Sequence, residues 1–277
     1  MIKIDFKTNI TFWTATNFCI KNKIKLSICL EQAYEQKVLI DDDNDLLLNF
    51  IKFLKTNNNN STSQLMQDLF ANFIIQKNFH KTFLEFGATD GISLSNSYML
   101  EKELGWKGVL VEPDNQWMEE LKKNRAKSNI LNKCIWKKTG EKMDFFSSEN
   151  GVFSTLNEFK FSDKKSMPLN SESRNKKGKI VEVKTISLND VIKDEFKNIC
   201  PSYISVDTEG SEYEILNSFN FEKYRPAVFT VEHNFTDSQS RIDNLMIEND
   251  YLRIFKNLTA FDAWYVSVDA MHKIRQL

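Results

Sequence analysis

The sequence predicts a doubly wound α/β domain preceded by an N-terminal extension, and three observations predict it. From Thr82 onward, short apolar runs alternate with stretches of helical periodicity. Two glycines, Gly87 and Gly91, follow directly on the first run, and acids close later ones at Glu112, Asp207 and Glu232. Parallel strands linked by helices, with polar groups gathered at the strand ends, give this pattern.

In chain order, "TFLEF" (82–86) reads as a buried strand. Leu94, Tyr98, Leu100 and Leu104 mark a helix that Gly105 can end, and "KGVLVE" (107–112) is a second strand. A helix over 114–126 and a strand at "NILNKCIW" follow. The Ser187 and Asp190 box opens a helix at "SLNDVIKDEF", and "SYISVD" is the next strand. A short helix near 211–218 leads to the strand "PAVFTVEH". The tail segments "YLRIF" and "AWYVSV" read as an antiparallel pair at the sheet edge.

Ahead of this pattern, "KTNNNNSTS" (55–63) reads as a linker, dividing an extension of no assigned role (1–56) from the main domain (57–277). The extension alternates loosely and closes on a short helical candidate, "DLLLNFIKFL". Beyond the linker, Ser61 and Gln64 form a capping-box pattern before a helix over 64–77. Its apolar face (Leu65, Met66, Leu69, Phe70, Phe73, Ile74) is wide enough to cover a crevice or to form a homo-oligomer.

Composition excludes several classes. Lys+Arg 37 against Asp+Glu 38 leaves a net charge of -1, without the basic field that nucleic acid requires. No run approaches the ~18 apolar residues of a membrane span, and no signal-peptide pattern opens the chain. Cys19, Cys29, Cys134 and Cys200 are scattered, without paired spacing, so the expectation is a reduced, cytoplasmic protein.

The turn Gly87–Gly91 lies where doubly wound folds bind nucleotide-like ligands. A dinucleotide fingerprint would place glycine where Glu85 stands, and a carboxylate there disfavours pyrophosphate and hence a nicotinamide-dependent oxidoreductase. It suits a ligand bearing ammonium or sulfonium. Glu112, 21 residues beyond Gly91, stands where an acid accepts hydrogen bonds from ribose hydroxyls. Together they favour an adenosyl ligand carrying an amino acid.

"FLEFGATDGISLSNSYMLEKELGWKGVLVEP", "ISVDTEGSEYEIL" and "VEHN" resemble the FkbM family of S-adenosylmethionine-dependent methyltransferases, from about Ser63 to about Val268. The resemblance implies a Rossmann-like class I methyltransferase sheet. It also implies that Glu85, Gly87, Asp90 and Gly91 hold the methionine part of S-adenosyl-L-methionine, with Ser95 nearby. Glu112 would hold the ribose, and Cys134 and Ile135 would face the adenine. O-methylation of a saccharide or polysaccharide precursor is what the family implies, with a lipid, peptide or polyketide hydroxyl as alternative acceptors.

The chemistry is expected at the carboxyl ends of the later strands, where Asp207, Glu209 and Glu212 crowd together and Glu232-His233-Asn234 closes the neighbouring run. His233 is the expected general base, oriented by Asp207 or Glu209, with Asp207 also beside the cofactor. Two alternatives stay open for His233: a cap of its strand, or a ligand, with Asp207 and Glu209, of a divalent cation such as Mg²⁺. Trp106 and Trp117 read as packing residues, and His80 and His272 as surface or structural. The lysine-rich "SDKKSMPLNSESRNKKGK" (162–179) reads as a solvated loop placed to act as a substrate lid. A non-catalytic cofactor-binding module is the reading from a different class.

Overall fold

The computed structural model describes residues 11–22, 25–39, 41–57, 60–75 and 79–275. Of the alternation expected over 2–13 and 23–30, residues 2–10 and 23–24 lie outside the described residues, as do 58–59 of the linker and 76–77 of the expected helix; residues 12–13 and 26–30 are helical, not alternating strand.

Four helices come first, α1 (Phe12–Asn22), α2 (Leu26–Glu35), α3 (Asn44–Asn57) and α4 (Gln67–Ile74). The alternating unit follows as β1 (Thr82–Phe86), α5 (Tyr98–Lys102), β2 (Lys107–Val111), α6 (Met118–Asn124) and β3 (Asn129–Leu131). Next come β4 (Cys134–Trp136), β5 (Lys142–Ser148), β6 (Thr155–Leu156), α7 (Pro168–Lys176), β7 (Gly178–Ser187) and α8 (Leu188–Glu195). The chain ends with β8 (Tyr203–Val206), α9 (Glu212–Asn217), β9 (Val228–Glu232), α10 (Ser238–Glu248), β10 (Tyr251–Ile254), β11 (Asp262–Ser267) and α11 (Val268–Arg275).

A seven-stranded sheet runs β10-β11-β9-β8-β1-β2-β3. β1, β2, β3, β8 and β9 are parallel, and β11 is antiparallel to both β9 and β10. This is the doubly wound sheet with an antiparallel tail that the sequence predicts. The order departs from β1 in both directions, so a crevice opens at the carboxyl ends of β1 and β8.

The two-residue period of the strands sorts their side chains between two cores. Phe83, Tyr203, Val228 and Trp264 pack with α1 to α4 and α11, whereas Leu84, Ile204, Phe229 and Tyr265 pack with α8 to α10. A parallel sheet needs cover on both faces, and the amino-terminal helices supply one cover. Phe12 of α1 stacks on Trp264 at 5.6 Å between ring centroids, and Phe70 of α4 stacks on the same indole at 4.4 Å. The apolar face of α4 is therefore occupied within the chain. Among the described residues, no helix is long and apolar enough to cross a membrane.

Four local expectations are corrected. "NILNKCIW" is two strands: β3 ends the large sheet and β4 joins a second sheet, ordered β4-β7-β5-β6. The break falls where Asn132 donates its amide to the carbonyls of Glu112 and Pro113. The capping box does not form, because α4 begins at Gln67 and the Ser61 and Ser63 hydroxyls donate instead to the buried Asp68 carboxylate. The helix expected from Leu94 begins only at Tyr98. The stretch 162–179 is no loop: it contains α7, with Pro168 at its first turn and Asn170, Ser171 and Arg174 buried.

Candidate functional site

β1 leads into a turn that its own residues build. Gly87 has φ +70, and a Cβ there would stand 2.3 Å from the Asp207 carbonyl oxygen, so only glycine lets β1 and β8 close up here. The Asp90 carboxylate accepts from the backbone N–H groups of Ile92 and Ser93 at 2.8 and 2.7 Å, which fixes the far side of the turn. Thr89, at φ 44, donates its N–H to Glu112 Oε2 at 2.9 Å, and Asp114 donates to Oε1 at 2.8 Å. Those two bonds pin the Glu112 carboxylate at the end of β2. Burial pushes its pKa up to about 7 despite them.

Glu85 lies behind this turn, not in the cavity wall. Its Oε1 accepts from the Asn96 N–H at 2.7 Å, and its Oε2 from the hydroxyls of Ser95 and Ser97. Arg125, wholly buried, stands 3.8 Å away and pairs with Glu101 at 2.8 Å. This network draws residues 95–97 towards β1, which explains why α5 starts late and why Leu94, at φ 59, is left 48% exposed on the rim. Glu85, Asp90, Gly91 and Ser95 therefore do not line the cavity, contrary to expectation: the first holds the loop, and its oxygens are taken by the loop's own donors.

A cavity of about 270 Å³ opens at the carboxyl ends of the parallel strands. Gly87 and Glu112 line it after β1 and β2, and Cys134 and Ile135 of β4 with Phe145 and Leu156 form an apolar slab from the second sheet. Asp207, Glu209, Glu232 and Asn234 line it at the ends of β8 and β9. One carboxylate oxygen from each of Asp207, Glu209 and Glu232 lies within 4.8 Å of the others. Glu212 instead accepts from the N–H groups of Thr208 and Gly210 at 3.0 and 2.9 Å, shaping the turn that presents the acids.

Crowding of like charge out of water sets the electrostatics here. Burial, then Glu212 and Asp262, push Asp207 up to about 7. Burial, then Asp207 and Glu209, hold Glu232 well above the ordinary carboxylate range. Glu209 is also raised by burial, opposed by Arg174, which is 1% exposed and pairs with both Glu209 and Asp163. Thr89, Leu94, Glu209 and Asn234 all line the cavity with positive φ, a concentration of backbone strain found at functional sites.

His233 is not brought to the cavity. Its Nδ1 accepts from the Phe235 N–H at 3.0 Å, its Nε2 lies 3.2 Å from Arg253, and its ring packs edge-on against Phe235 at 5.4 Å. Burial and then the Arg253 charge lower its pKa to about 4. The placement corrects both active expectations for this residue: the imidazole shapes the strained Asn234–Phe235 turn, and Glu232 takes its place beside Asp207 and Glu209. The reason is the turn that follows β9: the strand ends at Glu232, the N–H groups of His233 and Asn234 both donate to the Phe261 carbonyl, and Asn234 takes a positive φ of 46, so the chain leaves the sheet at His233. Arg174 carried a weak signal, as the one arginine in a lysine-rich run.

The residues around the cavity fit S-adenosylmethionine in chemistry. Glu112 keeps accepting capacity for ribose hydroxyls, the slab of β4, β5 and β6 suits an adenine ring, and the acid cluster suits a cationic sulfonium and ammonium.

The family model "Methyltransferase FkbM domain" matches residues 85–260. No curated protein matches the chain. Among solved structures, precorrin-6Y C5,15-methyltransferase from Geobacter metallireducens GS-15 is similar at 8% identity and TM-score 0.36, over 76% of this chain and 93% of that one. A proposed RNA methyltransferase from Pyrococcus horikoshii is similar at 9% identity and TM-score 0.31, over 68% of this chain and 73% of that one.

Proposed function

Because the chain belongs to the FkbM methyltransferase family, we propose that it carries a methyl group from S-adenosylmethionine to a hydroxyl oxygen, of a saccharide or polysaccharide precursor. The observation that carries this reading is the cavity with Glu112 pinned after β2 and three acids at the ends of β8 and β9. S-adenosylmethionine supplies an activated methyl group on a sulfonium. Glu112 holds the ribose, Cys134 and Ile135 flank the adenine, and Gly87 lets the turn approach the methionine part. Asp207, Glu209 and Glu232, in place of His233, supply the oxygens that take the acceptor's proton as the oxygen–methyl bond forms.

The saccharide rests on the family resemblance. A second reading of the acceptor, a hydroxyl on a lipid or polyketide, draws support from Leu94 and Val152, which line the cavity yet stay 48% and 39% exposed. Calorimetric titration with S-adenosylmethionine and S-adenosylhomocysteine tests the proposal. Both should bind, and Glu112→Gln should weaken them by about tenfold, about 1.4 kcal/mol. Folded protein that binds neither would refute it.

A further inference from the structure

We infer that Asp207, Glu209 and Glu232, with the amide oxygen of Asn96, hold a divalent cation where the main cavity meets a small polar recess behind it. The recess has a volume of about 10 Å³ and is lined by Asn96, Asp207, Glu232 and Asp262 among others. Two oxygens at this place are sealed from solvent and have no hydrogen-bond partner among the described residues, Glu232 Oε2 and Asn96 Oδ1. Asn96 is 6% exposed, and its Nδ2 donates to Ser205 Oγ at 2.9 Å. A buried carbonyl oxygen without a donor and three crowded carboxyl groups share one need, which a coordinated cation meets.

The spacing agrees. The three carboxylate oxygens lie within 4.8 Å of one another, and oxygens on opposite sides of a bound ion are about 4 Å apart for Mg²⁺ and about 5 Å for Ca²⁺. An all-oxygen donor set selects hard ions such as Mg²⁺, Mn²⁺ or Ca²⁺ over Zn²⁺ or Cu²⁺. Arg174 reaches Glu209 Oε2 of the cluster, and its other contacts go to Asp163 and to the backbone carbonyls of Phe153 and Lys160. The use of such an ion, orienting the acceptor hydroxyl and lowering its pKa, rests on the methyl-transfer reading; the ligand set does not.

The test is a Mn²⁺ titration of the full-length, EDTA-treated and desalted protein without S-adenosylmethionine or acceptor, followed by the loss of the free-ion paramagnetic resonance signal. One equivalent should bind, be displaced by Mg²⁺ or Ca²⁺, and bind at least about tenfold more weakly to Glu232→Gln and to Asn96→Ala. Glu232→Gln removes a repelling charge and keeps the shape, so it should remain folded, which circular dichroism checks. Absence of a stoichiometric site in the wild type, or wild-type affinity in folded Glu232→Gln, overturns the inference. S-adenosylmethionine calorimetry on the same preparation separates the two proposals. Cofactor binding without Mn²⁺ binding overturns the cation site alone; Mn²⁺ binding without cofactor binding sustains the site and overturns the function.

Discussion

Replacing Gly87 by alanine probes the joint on which the site is built. The residue sits at φ +70, where an L side chain costs about 1 kcal/mol. The new Cβ would stand 2.3 Å from the Asp207 carbonyl oxygen. Ordinary contact lies near 3.5 Å, so one of the two strands must move by about 1 Å, at a further cost of about 1–3 kcal/mol. Gly105 provides the control, because it has nearly the same φ, +69, with nothing within 4 Å of its Cβ position. Gly105→Ala should therefore lose only the conformational part. Urea denaturation of the two variants should differ by about 1–3 kcal/mol, with Gly87→Ala the weaker. The moved carbonyl belongs to a residue whose carboxylate lines the cavity, so S-adenosylmethionine affinity should fall in Gly87→Ala and hold in Gly105→Ala. Equal destabilisation of the two, with cofactor affinity intact, would refute the close approach of β1 to β8 as the reason for the glycine.

Three further outcomes are expected. Glu112, Asp207 and Asp262 are each pushed up to about 7, so between the usual carboxylate range and that value the folded chain binds more protons than the unfolded one. Stability of the ligand-free protein should thus fall as pH rises from about 5 through 7, with Glu112 alone contributing up to about 3 kcal/mol; a melting temperature that climbs over this interval contradicts the assignment. His233, lowered to about 4 by burial and Arg253, should stay neutral to below pH 5 by NMR titration of its ring, and an inflection near 6.5 would restore it as a candidate base. Phe12→Ala removes a fully buried ring stacked on Trp264 and should cost about 3–5 kcal/mol in urea. A loss below about 1 kcal/mol would mean that α1 is not seated on the sheet.

Much of the domain was legible because its information is local. "TFLEF", "KGVLVE" and "SYISVD" are apolar runs bounded by breakers, and each became a strand of the large sheet in the expected direction. Glu112 was placed at the end of β2 by spacing alone, and it lines the cavity. Asp207 and Glu209 were found in the same way. Glu85 shows where locality fails: its distance from Gly87 in sequence is two residues, yet its carboxylate turns under the sheet to Ser95, Ser97 and Arg125. The second sheet was illegible for a related reason, since β5 pairs with β7 across the intervening α7, and no local pattern announces a pairing across so long a connection.

The sequence by itself determined the alternation of strands and helices, the antiparallel tail, and the acids at the strand ends, because period, breakers and spacing are properties of neighbouring residues. Tertiary structure decided which side of each strand end faces the cavity. It set Glu232 and Asn234 inward and His233 against Arg253, buried Glu85, and brought Arg174 from a lysine-rich run onto Glu209. It also gave the amino-terminal helices their place over one face of the sheet. These outcomes depend on burial and on partners distant in the chain, and the free energy of desolvating a charge is fixed only when those partners are in place.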